Sequence, residues 1–591
     1  MMIFRPRTVA TGLLLWFALT VPLPAAVAAP PPLKTLHALL STGETGLDPA
    51  VASDLASLTL MENIFDPLLH YAYLARPVRL EENTVQAMPE VDAQGLTYTF
   101  HLKPGIWFTP DPAFKGKRRE VTAQDYVYSL KRLYDPALKS PWLFLFEGKL
   151  VGDAALAPGR FSYDSQVAGL TAPDRYTLRI CLTAPDPNFL FYLAMPATGV
   201  VAREVVEAYP GQVGNHPIGS GPFLLSEWKH SDRIVLSANP TFRPTVFHAG
   251  AGVAPADRAL ATALEGRRLP LLDRVEVRIV EEYQSRVLGF LSGQFDYLEQ
   301  VPESVTEMVL ADGKLKPALA AKGIVLDRFS VLQTYYMWMN MDDPVLGGYS
   351  KDKVALRRAI ALSYNSAEDI ALLKRGLALA AQSPLPPNVL GYDPAYRSPV
   401  PYDPALAGQL LDRFGYRRQK DGYRTLPDGG PLTLVMATEA NTMGRLRDEL
   451  WRRNLAAIGL RVVFKSDKKT EIIKASRLGK VQMFETNWVA DFPDGDNFFQ
   501  LLYGGNIGRA NYARFNLPAY NQLYERVRSM PDSPARTQLF DDMSQLIHAY
   551  NPWVLLTQPI SADLRQSWLK NYKRHPVEFS NWRYLDISPG R

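Results

Sequence analysis

The chain has 591 residues, 47% of them apolar and 21% charged. That composition is globular, and the length exceeds what one hydrophobic core organises, so two to four domains are expected. The net charge of +5 falls to +3 without Arg5 and Arg7, the two charges of the first 29 residues, and no run alternates Lys or Arg with aromatics, which excludes a nucleic-acid surface.

In chain order, Arg5 and Arg7 precede an apolar run at 9–23 and small residues at 25–30 (AAVAAP). This is the order of a secretory leader cleaved after Ala28 or Ala29, residues 1–29 being removed. A membrane anchor is the alternative, but the run is short and broken by Pro22 and Pro24. No Cys follows for lipid attachment, and the one Cys, Cys181, has no internal partner. A secreted, unlipidated chain without a later spanning segment points to a Gram-negative periplasm.

Residues 54–69 carry apolar residues at helical spacing behind Ser53 or Asp54 as cap. LTYTFHL at 96–102 and RYTLRICL at 175–182 alternate as half-buried strands do. Between them Thr122, with Asp125 at the capping-box position, opens a helix. The 115–119 cluster KGKRR reads as a solvated loop, 217–243 as a turn into two strands, and the Ala-rich 245–270 stretch as an irregular surface insertion. Gly219-Ser220-Gly221 is no phosphate loop, because no Lys-Ser/Thr and no helix follow it.

A strand at 275–280 and a helix at 283–292 come next, then the aromatic strand 329–342. Alternation there puts Tyr336, Trp338 and Asn340 on one face and Tyr335, Met337 and Met339 on the other. A helix over 353–375 is expected to stop at Gly376, and 382–404 is an irregular connection. Strand 432–438, helix 443–458 and strand 460–466 form a β-α-β run, the mark of an α/β domain with a parallel pair. Helices at 518–529 and 533–549 lead to a closing strand at 552–559.

One stretch, 487–499 (NWVADFPDGDNFF), is unlike core sequence. Asp491, Asp494 and Asp496 stand among Trp488, Phe492, Phe498 and Phe499 around a Pro493-Asp494-Gly495 turn, whose Gly is expected to supply a positive φ. A loop of large aromatics and carboxylates suggests a binding surface; a solvated acidic turn is the plainer reading. A calcium loop starting at Asp491 needs an acid at its twelfth position, where Leu502 stands. The chain has no GxSxG, Walker, HExxH or CxxC motif, and its eight His are scattered, so no catalytic or metal constellation is evident.

Taken in order, several stretches resemble the family 5 solute-binding proteins of ABC importers, the oligopeptide- and dipeptide-binding group. They are LDP at 47–49, TYTFHLKPGIWF at 97–108, TAQDYVYSLKR at 122–132 and GSGPFLLSEW at 219–228, then FLSGQFDYL at 290–298, NMDDP at 340–344, ALRRAIALSYN at 355–365 and NWVADFPDGDNF at 487–498. The resemblance implies an α/β, two-lobed periplasmic-binding-protein fold with an inserted subdomain and a hinge. It puts lobe I at 30–75, 191–330 and 554–591, the insertion at 76–190, and lobe II at 331–553.

It also implies ligand-binding residues. Asp491 matches the acid that pairs with a peptide's α-amino group. Trp488 matches the ligand-lining Trp, Tyr336 a hinge-strand Tyr, and Trp142 an aromatic of some relatives; main-chain groups of Asn487, Trp488 and Val489 would bond an extended peptide. Asn487 replaces the family's usual Gly, Asn365-Ser366 its usual Asp-Arg, and Gln333 and Val489 stand where some relatives have a disulfide. The function implied is capture of a peptide and delivery to an ABC permease of the inner membrane by a monomer, with no catalysis and no cofactor, metal or nucleic acid. Metal chelates, opines, sugars and antimicrobial peptides are alternative ligands on this scaffold, and a hydrolase using the acids near Asp491 is the alternative of another class.

Overall fold

The computed structural model describes residues 1–3, 8, 33–311 and 313–588, so the expected leader lies almost wholly outside the described residues. Residues Lys34–Arg591 form one compact unit, and the structural statements that follow concern it.

Strand β1 (Thr35–Leu40) leads to α1 (Leu55–Ile64). Asp54 caps α1 by accepting the Ser57 amide, and the helix ends before the expected Leu69 because Asp66-Pro67 turns the chain extended. Strands β2 (Thr97–His101) and β3 (Thr177–Cys181) pair antiparallel within a four-stranded sheet. Between them runs α2 (Ala123–Arg132), where the Asp125 carboxylate accepts the Thr122 amide at 2.7 Å, as the capping box requires. A single turn, α3 (Phe189–Tyr192), closes this region.

Strands β4 (Phe223–Lys229), β5 (Arg233–Ala238) and β6 (Arg274–Ile279) join β1 in a sheet of order β1-β6-β5-β4, with β1 and β6 parallel. The 245–270 stretch is not irregular. Thr245–Val246 pairs with Arg268–Leu269, Arg258–Leu264 is a helix, and Phe247, Leu264 and Leu269 are buried with Tyr73, Leu74 and Tyr584. Its small core rests on few large side chains, which the alanine-rich composition conceals.

Strand β7 (Val325–Ser330) runs into β8 (Gln333–Met339). The single helix expected over 353–375 is two, α4 (Lys351–Ser363) and α5 (Ser366–Leu372). Asn365 divides them: its side-chain oxygen accepts the Glu368 amide at 3.1 Å and starts a new helix. Strand β9 (Thr433–Glu439), α6 (Thr442–Ala457) and β10 (Arg461–Asp467) form the expected unit with a parallel strand pair. Then come β11 (Met483–Val489), a short α7 (Asp496–Phe499), α8 (Pro518–Val527) and α9 (Pro534–Tyr550). The closing strand divides at Leu556 into β12 (Trp553–Leu555) and β13 (Thr557–Arg565).

These strands build two lobes. One sheet of the second lobe has the order β10-β9-β11-β8-β12. In the other lobe β13 pairs with β7 and with Tyr297–Leu298. Two of the chain's crossings between the sheets lie between β7 and β8 and between β12 and β13. Both crossings are anchored to one extended segment: Thr334 Oγ1 donates to the Pro384 carbonyl, and the buried Gln558 amide donates to the carbonyls of Ser383 and Leu385. Close to that segment Ala378–Ala380, inside the range expected for lobe II, pairs with β13 instead.

Candidate ligand-binding site

The site is built at the end of β11. Strand β8 pairs with β11 along its whole length, from Met339 opposite Met483 to Gln333 opposite Val489. On its other side β11 meets β9 only at Met483 and Phe484. From Glu485 to Val489 that edge has no strand partner, so its main-chain N–H and C=O groups are offered outward. The two parallel strands splay at their C-terminal ends, where open α/β sheets bind ligands. Thr438, Glu439, Arg447, Asp448 and Glu485 line the wedge between them.

Beyond β11 the loop turns back on itself through one buried amide. Asn497, 0% exposed, accepts the Trp488 indole N–H at 2.7 Å and the Asp491 amide at 3.1 Å, and donates to Asp491 Oδ2 at 2.9 Å. One side chain therefore fixes both the aromatic and the acid that the sequence points to. Asp491 reaches solvent, yet enough protein surrounds it that desolvation raises its carboxyl above the ordinary aspartate range; the Asn497 bond opposes this and does not overcome it. Among the described residues no Lys, Arg or His forms an ion pair with it.

The three acids of the loop have different fates. Asp494 is buried and held by Arg536 through two bonds of 2.5 and 2.8 Å, and its Oδ1 also accepts the Asp496 amide. Asp496 faces the other lobe, where the Asn188 amide lies 3.5 Å from its Oδ2. Beside it the Phe492 ring meets Tyr192 edge-on, with centroids 5.9 Å apart. Asp491 is the acid of the three that reaches solvent, and among the described residues it has no partner cation. Gly495 departs from expectation: its φ is −59°, so the turn needs no positive φ there. A Cβ on it would lie 2.6 Å from the Phe540 ring, and the glycine serves that close approach.

The remaining candidates divide. Val489 is 52% exposed, at the strand end. Asn487 is half-buried opposite Tyr335, whose ring carries the Lys374 ammonium at 3.9 Å from its centroid. Tyr336 is 3% exposed and stacks on Trp553 at 3.9 Å, inside the core. Strand alternation puts its neighbour Tyr335 on the other, half-open face. Trp142 also lies elsewhere than expected. It packs between the cores of the inserted region and the first lobe, and its indole N–H is committed to the Ala52 carbonyl at 2.9 Å. Asn497 was missed from sequence; an amide six residues beyond the acid was the only trace. Among the described residues no three His, Cys, Asp or Glu are placed to hold a metal ion, and no helix is long and apolar enough to cross a membrane.

Residues 75–509 match the family described as bacterial extracellular solute-binding proteins, family 5 Middle. Di/tripeptide-binding protein 2 of Pseudomonas aeruginosa (strain UCBPP-PA14) is 26% identical, over 97% of this chain and 98% of its own. Heme-binding protein A of Haemophilus influenzae is 24% identical, over 83% of this chain and 81% of its own. The structure of HbpA2 from Haemophilus parasuis superposes with a TM-score of 0.76 at 18% identity, over 94% of this chain and all of the other. With the family model covering most of an α/β chain, the chain belongs to the family 5 extracellular solute-binding proteins.

Proposed function

We propose that this chain is the periplasmic substrate-binding component of an ABC importer, and that it closes its lobes on a short peptide for delivery to a membrane permease. The observation that carries the reading is Asp491: a fixed carboxylate that reaches solvent, is raised by desolvation and, among the described residues, has no cation beside it. A ligand ammonium would supply the missing charge through a charge-assisted hydrogen bond. The free β11 edge from Glu485 to Val489 supplies what a peptide main chain needs, since strand addition binds backbone without reading side chains. Di/tripeptide-binding relatives match this chain nearly end to end, which supports the same ligand class.

In this reading Asn487, Trp488 and Val489 contribute main chain and Trp488 its ring, while Tyr336 and Trp142 are structural. Lobe I comprises 30–75, 191–330 and 554–591 with the 76–190 insertion, and lobe II 331–553, except that the pairing of Ala378–Ala380 with β13 gives that strand to lobe I. Haem, suggested by the name of the Haemophilus relative, carries carboxylates that Asp491 would repel. Of the other acids near Asp491, Asp494 is neutralised by Arg536 and Asp496 Oδ2 lies against the Asn188 amide, which weighs against hydrolysis by paired carboxylates.

Mass spectrometry of what the purified protein releases on denaturation tests the assignment. A short peptide with a free amino terminus is the expected result; hemin or an amine-free solute would overturn it.

A further inference from the structure

A cavity apart from the β11 wedge lies in the second lobe, at the crossing between β12 and β13. It encloses about 180 Å³ between the start of α5, the segments at 380–382 and 398–402, and the chain from the end of α9 through β12. Main-chain pairing sets its place: Ala380 pairs with Thr557 of β13, and the Ala381 amide donates to the Leu556 carbonyl at 3.1 Å. In the sheet order β10-β9-β11-β8-β12, β12 is the edge strand and β8 stands between it and β11. The cavity is therefore separate from the site at Asp491.

Among the described residues that line it, none is Asp, Glu, Lys or Arg. The polar side chains are Ser366, Gln382, Ser398, Tyr402, His548 and Asn551. Gln382 is spent inside the protein: its Oε1 accepts the Ser398 amide at 3.1 Å, and its Nε2 donates to the Ala380 carbonyl at 3.3 Å. His548 Nε2 lies 3.1 Å from the Gln382 carbonyl and so carries the hydrogen, which leaves Nδ1 an acceptor. Burial lowers that imidazole to about 4, so it is neutral at physiological pH. Asn551 is 1% exposed, and its Oδ1 is buried without a hydrogen-bond partner. It ends α9 at a φ of 46°, which accounts for Asn or Gly in the backbone but not for a side-chain oxygen left unpaired.

We infer that this cavity is a second ligand site, which takes a neutral, polyhydroxylated ring of monosaccharide size. No charge in the wall compensates an ion, and burying one uncompensated is costly. Asn551 Oδ1 and His548 Nδ1 call for donors, while the Ser366 and Tyr402 hydroxyls both donate and accept; hydroxyls on the ligand meet both kinds. The rings of Tyr364 and Trp553 add apolar wall for the C–H faces of such a ligand. A cavity of about 150 Å³ holds a benzene ring, so the volume here suits a six-membered ring. Pro401 and Tyr402 are exposed and mark the mouth. The inference goes beyond the peptide reading, because it concerns another place and a ligand of other chemistry.

The test is saturation-transfer NMR on ligand-stripped full-length protein, with D-glucose and myo-inositol as neutral probes and D-glucuronate as a charged one. Transfer to a neutral probe and none to glucuronate is expected. An excess of a free-amine dipeptide should leave that transfer unchanged, since β8 separates the two sites. Asn551→Gly keeps a residue at ease with the positive φ and removes the unpaired oxygen. Affinity for the neutral probe is expected to fall about tenfold, while the empty variant unfolds at no lower temperature. Tyr402→Ala, at a position 49% exposed, is expected to weaken binding as well. Because that position is exposed, misfolding of Asn551→Gly, seen by circular dichroism, leaves Tyr402→Ala as the test. Transfer to neither neutral probe would overturn the site, as would transfer that both variants keep at full strength or that the dipeptide displaces. Equal transfer to glucuronate would overturn the ligand class.

Discussion

Two carboxylates, one in each lobe, show how the fold separates what it needs from what it offers. Asp66, just past α1, is 0% exposed and saturated: Arg243 holds it at 2.7 and 3.3 Å, Ser220 donates at 2.7 Å and Asn83 at 3.2 Å. Burial alone would raise its carboxyl, but the Arg243 charge and these bonds win, and it titrates below the ordinary range. Asp491, at the end of β11, has one amide partner and no cation, and desolvation wins. The first charge is internally compensated. The second is held in place and left uncompensated, the state expected of a group whose partner arrives with a ligand.

The comparison breaks first at Asp66. Asp66→Ala leaves the Arg243 guanidinium buried without its anion and is expected to cost about 3–5 kcal/mol of unfolding free energy by denaturant titration. Its depressed carboxyl also fixes the sign with pH: its contribution is complete above the unfolded value of 3.8 and is lost as pH falls through the lower folded value. Asp491→Ala is expected to do the reverse. Unfolding of the empty protein should stay within about 0.5 kcal/mol, while stabilisation by free-amine peptides falls by about 2–3 kcal/mol in affinity. Since its folded carboxyl is raised and only the ionised form meets an ammonium, peptide affinity should weaken as pH is lowered through that raised value, and the alanine variant should show no such slope from this group.

Asn497→Ala joins the two sides of the comparison. It frees the Trp488 indole and the Asp491 carboxylate together, so a loss of about 1–3 kcal/mol in stability and a weaker peptide response are expected in the same variant. Loss of only one would separate the aromatic from the acid. A buried acid away from the site, Glu62, gives a pH dependence of the opposite sign to Asp66. Burial raises its carboxyl to about 8 against the pull of Arg583, so the folded form keeps a proton that the unfolded chain releases above 4.5. Its contribution is complete below that value and is lost as pH rises toward 8. Glu62→Gln should therefore be more stable than the parent at pH 8, and the advantage should shrink toward pH 5, read by thermal unfolding.

How far such features are legible in the residues depends on how local they are. Asp491 and Trp488 stood out because one short loop carries them. The β9-α6-β10 unit stood out because its apolar spacing changes period cleanly. Asn497 did not, since its role appears only when the loop folds back six residues onto Asp491. Tyr336 and Tyr335 could not be told apart by alternation, because large apolar residues occupy both faces of β8; packing against Trp553 decides which is core. The break at Asn365 is hidden because apolar spacing continues across it, and only the cap bond to Glu368 reveals a second helix. For Gly495 the turn was legible and the reason was not. A glycine that yields space to Phe540 looks in sequence like one that supplies a positive φ.

The most direct test of the account is thermal stabilisation of ligand-stripped protein by free-amine dipeptides and tripeptides and by the same peptides N-acetylated, for the parent chain and for Asp491→Ala. The account predicts stabilisation of the parent by free-amine peptides alone, and of the variant by neither set. Equal stabilisation by acetylated peptides, or an unchanged response in Asp491→Ala, would contradict it.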